Sequence, residues 1–259
     1  MMDPSGWVVA FSIGVFIAIV GCLEIGFRLG RRDAEKLSKA AHEGIGPLEA
    51  AVFALLGLLL AFSFAGATSR FETRRQQIIR EADAIGTAYL RLDLLPAADQ
   101  PELRRLFRAY LDTRLRVYEK LADPEAAERE LKHAADLQQV IWSHAVVATR
   151  RDPTSSATRL LLPAINEMID ITTARTIALH THLPDLIIAL LIGASLLSGL
   201  IAGYAMAKRV SRSWLHMALY AFIVAITLYV VLDLEYPRFG LIRIESADQA
   251  LTGLRDSIR

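Results

Sequence analysis

Cysteine is almost absent from this chain of 259 residues, and the single one, Cys22, lies inside an apolar run. One thiol forms no intrachain disulfide, so the fold is not a disulfide scaffold. A basic excess is also lacking. Lys and Arg number 29 against 28 Asp and Glu, a net charge of +1, and nucleic-acid binding calls for a strong basic bias. Enzyme motifs are missing as well. None of the six histidines stands four residues from another, and His180 and His182, two apart, point to different faces of a helix. There is no zinc-protease pair, nucleophile elbow or phosphate loop. The expectation is a protein that is not an enzyme, with no metal or cofactor. Sustained apolar/polar alternation is absent too, so no sheet is expected.

Apolarity is present, in blocks. The chain is 53% hydrophobic and yet 22% charged, with a mean hydropathy of +0.34. Those figures fit together if charge and apolarity are segregated along the chain. Four runs, Trp7–Leu29, Leu48–Thr68, Leu186–Ala207 and Trp214–Leu232, have the roughly 20 residues that span ~30 Å of hydrocarbon. No lysine or arginine precedes the first, which reads as a span and not as a cleaved signal. Residues 1–68 then form a first transmembrane helix pair and 69–185 a polar region. Residues 186–232 form a second pair, and 233–259 a C-terminal segment.

The polar region reads as helical. Leu103, Leu106, Phe107, Tyr110, Leu111, Val117, Tyr118 and Leu121 show the three/four spacing of one buried helix face. Pro96, Pro101, Pro124 and Pro153 mark helix ends, giving helices over about 69–94, 101–122, 124–150 and 155–182. No stop signal closes the polar end of the second span, which predicts one long helix leaving the membrane and running through Leu92. The stretch leading to Pro184 likewise carries a polar helix into the third span. The predicted fold class is an all-α membrane protein whose helical extramembrane region is continuous with the second and third spans.

Orientation rests on the positive-inside rule. Arg28, Arg31, Arg32, Lys36 and Lys39, with Lys208, Arg209 and Arg212, flank the two short loops. The opposite ends carry Arg70, Arg74, Arg75, Arg80, Arg175, Arg238 and Arg243. The totals nearly balance. Short loops and the first helix carry more weight, which favours an external polar region.

Few residues within the spans are polar. Glu24 and Arg28 stand one turn apart, which admits an ion pathway or relay and, favoured by the nearby Arg31 and Arg32, an i,i+4 pair near the membrane surface with both side chains snorkelling. Ser195, Gly199 and Gly203 form a small-residue stripe that lets helix backbones approach closely. Ala54, Leu58 and Phe62 fall at i, i+4 and i+8 on the second span. Such a row admits two readings: contact with lipid or another helix, or an apolar constriction around an axis of several copies. After the fourth span, "YVVLDLEYPRFGLIRIE" brings Asp233 and Glu235 to the membrane level where Arg70, Arg74 and Arg75 leave the second span. Opposite charges there can pair and fix how helices exit. Pro237 and Gly240 turn the chain, and Leu241, Ile242 and Ile244 dock back. Arg70, Asp233, Glu235, Pro237 and Gly240 therefore read as a structural clasp, with an ion site as the alternative.

The runs "ATSRFETRRQQIIREADAIGTAYLRL" and "LDLEYPRFGLIRIESADQAL", with two helix pairs around a helical polar region, resemble the bestrophin-like family of bacterial membrane proteins, relatives of the bestrophin ion channels. Arg70 matches an arginine following the family's neck helix, and counting back from it puts Phe62, Leu58 and Ala54 at the three neck positions. The resemblance implies a homo-oligomer, specifically a pentamer, in the bacterial inner membrane. Its partners would be membrane lipid and small permeant ions, with an axial pore lined by the second span. It also implies a cytosolic helical region, opposite to the charge rule. The acidic calcium-binding cluster of eukaryotic bestrophins has no counterpart here. The alternative function is a non-conducting membrane module whose helical region binds a partner or senses a stimulus.

Overall fold

A computed structural model describes residues 4–34, 46–120, 123–150, 156–207, 213–237 and 240–258. Lys36, Lys39, Leu121, Pro153, Lys208, Arg209, Arg212 and Arg238 lie outside the described residues. Among those described, every regular element is a helix. In chain order these are α1 Pro4–Ala34, α2 Gly46–Leu90, α3 Gln100–Glu119, α4 Pro124–Thr149, α5 Ser156–His180, α6 Asp185–Met206, α7 Trp214–Glu235 and α8 Glu245–Ser257, with a 3-10 turn at Arg91–Leu94 after α2. The helices α1, α2, α6 and α7 are long and apolar enough to cross a membrane.

Local chemistry accounts for the boundaries. Pro101 and Pro124 occupy the first turns of α3 and α4, where the missing N–H has no helical partner to lose. Asp123 caps α4, accepting from the Ala126 amide at 3.1 Å. The α2 helix has no proline after Pro47 and runs unbroken for 45 residues, beyond the apolar segment as expected. The approach to the third span is not one helix. Residues 181–184 separate α5 from α6, because Pro184 disfavours helical backbone in the residue before it. Pro163, which is not one of the expected helix ends, sits inside α5.

The chain forms two compact units, residues 1–71 with 182–243 and residues 72–181 with 244–259. In the first, Ile19, Leu23, Ala67, Leu191, Met217, Ala221, Val224 and Leu228 form the buried core, with Leu59 and Leu60 of α2 packed against it. Glycines set its closest approach. A Cβ on Gly203 of α6 would lie 1.9 Å from the Leu23 carbonyl oxygen, and one on Gly26 of α1 would lie 2.0 Å from that of Leu200. Gly30 faces the Tyr204 carbonyl in the same way. The expected stripe on the third span thus meets a reciprocal pair on the first. Van der Waals contact replaces a hydrophobic drive that lipid does not supply.

This contact makes a prediction. Gly203→Val should lower stability by about 3 kcal/mol or more, since the clashing atom is backbone and the helices must separate. Gly193→Ala, on the same helix but with nothing within 4 Å of the added carbon, should leave stability unchanged or raise it slightly. Denaturant titration in detergent separates them. Equal behaviour of the two variants would refute the close crossing.

In the second unit, α3 buries Leu103, Leu106, Phe107, Tyr110, Leu111 and Val117, the face its spacing predicts. Phe107 meets Tyr89 edge-on at 6.1 Å. Ile78, Ile85 and Leu92, beyond the apolar part of α2, are also buried.

Candidate pore helix and the junction after the fourth span

At the end of α7, Asp233 and Glu235 are both about 1% exposed, yet their partners differ. Glu235 Oε1 accepts from Arg70 Nε at 2.8 Å and from the neighbouring Nη2. Two bonds from one guanidinium fix direction as well as distance. The other oxygen accepts from the Leu183 amide at 3.3 Å and lies 3.8 Å from His182 Nδ1. The His182 ring stacks on Tyr236 at 4.9 Å. One carboxylate therefore gathers the end of the second span, the entry to the third and the end of the fourth.

Asp233 instead meets backbone. It accepts from the amides of Leu241 at 3.1 Å and Ile242 at 2.8 Å, holding the returning chain against α7. Gly240 is needed for this approach. A Cβ there would fall 1.7 Å from Asp233 Oδ1, while no described glycine has the positive φ that only glycine tolerates well. Pro237 is buried beside the turn. Ile242 packs against the core and Ile244 is buried. Leu241 stays 82% exposed and does not dock as expected. Its amide, not its side chain, is what the junction uses.

Of the three arginines expected to face these carboxylates, Arg70 bonds Glu235. Arg74, buried, donates to the carbonyls of Ala178 at 3.1 Å and Thr181 at 2.7 Å. There a guanidinium offsets the negative end of the α5 dipole. Arg75 bonds Glu72, one turn back on its own helix. The participation of His182 and Leu183 is not an expectation from the sequence. Its only trace there is the polar "HTHLPD" immediately before an apolar run. Glu24 and Arg28 make their i,i+4 pair at 2.6 Å.

The α2 row is exposed. Ala54 is exposed, Leu58 is 51% and Phe62 68% accessible, while Leu56, Ser63 and Ala67 on the opposite face are buried. Only 17% of the most apolar window of α2 is buried, against 22% for α1, 28% for α6 and 39% for α7. The least covered of the four spans is thus the one carrying the row. The small residues Gly57, Ala61 and Ala65 share its exposed side.

A model of the Bestrophin-like domain matches residues 10–249, and the chain belongs to the bestrophin-like family. Solved structures agree on the fold. A tryptophan-to-alanine variant of a bacterial bestrophin homologue from Klebsiella pneumoniae superposes with a TM-score of 0.71 at 12% identity, covering 97% of this chain and 96% of that one. A leucine-to-threonine variant of the homologue gives 0.66 at 14% identity, over 95% and 98% of the two chains. No curated protein matches by sequence. The chain is a multi-pass membrane protein of all-α, bestrophin-like fold.

Proposed function

We propose that the protein is a homo-oligomeric ion channel of the bacterial inner membrane, a pentamer whose axial pore is lined by α2. The observation carrying this reading is the accessible row of Ala54, Leu58 and Phe62 on the least covered span. A helix at the centre of a ring keeps one face free in the protomer, because that face meets the lumen and neighbouring copies. The exposed small residues Gly57, Ala61 and Ala65 would let copies pack closely beside it. Family membership supports the same reading. An apolar neck gates by dewetting, since an ion there loses hydration that no side chain replaces. In this account Arg70, Asp233, Glu235, Pro237 and Gly240 act as a clasp that fixes where α2 leaves the membrane.

Ion flux from proteoliposomes tests the proposal. The purified chain should release a trapped salt gradient faster than empty vesicles, in proportion to protein added. Silence across several salts and voltages, with intact oligomer present, would instead favour a non-conducting module whose helical region binds a partner.

A further inference from the structure

The second unit encloses an imbalance of charge. Glu81 of α2, Arg114 of α3 and Arg175 of α5 are 0%, 2% and 2% exposed. Arg114 donates from Nε to one Glu81 oxygen, and Arg175 donates from Nη1 to the other. The Tyr118 hydroxyl donates to Glu81 at 3.3 Å and accepts from Arg114 Nη2 at 3.2 Å. Both guanidiniums also lie against the Tyr118 ring, 5.9 and 4.3 Å from its centroid. Burial pushes the Glu81 carboxyl up, but the two guanidiniums more than reverse this and hold it below the ordinary carboxylate range. Arginine stays protonated throughout. Two buried positive charges therefore share one negative charge.

The hydrogen bonds are unbalanced in the same direction. Arg114 Nη1 and Arg175 Nη2 are buried and have no hydrogen-bond partner among the described residues. Native interiors rarely leave buried donors unmatched, and an uncompensated buried charge is costlier still. A water molecule would satisfy the N–H groups and leave the charge. A monovalent anion satisfies both. The near-complete burial of all three side chains limits its size, which argues against a phosphate or an organic carboxylate and for an ion no larger than a halide.

We propose that Arg114 and Arg175 bind a halide-sized monovalent anion beside Tyr118, and that the helical region depends on it for full stability. This site is built from side chains of the second unit alone, and it stands whether or not the chain conducts.

Thermal unfolding of the full chain in detergent tests it, with sodium chloride or bromide compared with sodium gluconate at equal ionic strength. A ligand that binds only the folded state raises the midpoint with its concentration, by about 5 °C at a hundredfold excess over its Kd. Arg175→Gln restores one-to-one charge, so its midpoint should be the same in halide and gluconate. Crystals of the wild-type protein grown in bromide should show an anomalous peak against the two free nitrogens. That measurement also decides the matter if Arg175→Gln fails to fold. Equal wild-type midpoints in bromide and gluconate, an undiminished halide effect in Arg175→Gln, or absence of the bromide peak would each overturn the proposal.

Discussion

Replacing both Leu58 and Phe62 with alanine is expected to raise ion current through the reconstituted protein by about tenfold or more. Widening an apolar neck until it wets has only to lower the barrier by about 1.4 kcal/mol for a tenfold gain. Two large side chains removed from each copy make that a conservative figure. The protomer should tolerate the change, because both side chains are more than half accessible within it and their loss leaves no cavity in its core. Leu56→Ala provides the contrast. Leu56 is 4% exposed, on the opposite face of the same helix. Its truncation should cost about 2–5 kcal/mol of stability and bring no gain in current per folded oligomer. Single-channel recording alongside unfolding measurements separates the two effects. Loss of assembly with no gain of current in the double variant would make Leu58 and Phe62 packing residues.

The second large effect concerns Arg70. Its side chain is 26% exposed, whereas that of Glu235 is 1% exposed. The two halves of the pair are therefore not equivalent. Arg70→Met removes the buried carboxylate's paired charge and the donors on its Oε1, leaving the Leu183 amide and His182 at the other oxygen, and should cost about 3 kcal/mol. Glu235→Gln keeps the volume and leaves an arginine that can still reach water, so it should cost clearly less. The double variant Arg70→Met with Glu235→Gln should recover part of the loss, since neither charge is then left alone. Denaturant titration of the four proteins gives the coupling directly. Additive losses would mean the two side chains do not act as a pair.

Periodicity makes the elements legible. The four spans, the long α2 and the buried face of α3 come from runs and spacings that a helix imposes on any chain. The neck row can be placed on one face of α2 for the same reason. Partners across the fold are harder to read. A helical pattern says that Asp233 and Glu235 share a level with Arg70, but not that Asp233 turns to the amides of residues 241 and 242. That choice depends on the loop's path, set by Gly240 lying against the carboxylate. The crossing of α1 with α6 is half legible. Gly199 and Gly203 stand out as a stripe with Ser195, whereas the matching row on the first span, Ala18, Cys22, Gly26 and Gly30, is equally small but names no partner by itself. The Glu81 network leaves one trace. Arg114 lies four residues after Tyr110 and three before Val117, on the apolar face of α3, where an arginine is out of place unless it is paired. Nothing local indicates that the partners stand 33 residues before it and 61 after it in the chain.

Whether α2 surrounds an axis is decided by imaging the purified protein in lipid nanodiscs. The expected image is a ring of five copies with α2 nearest the centre and Ala54, Leu58 and Phe62 facing the lumen. A stable monomer, or an assembly in which that face of α2 is turned to lipid, would rule out the axial pore.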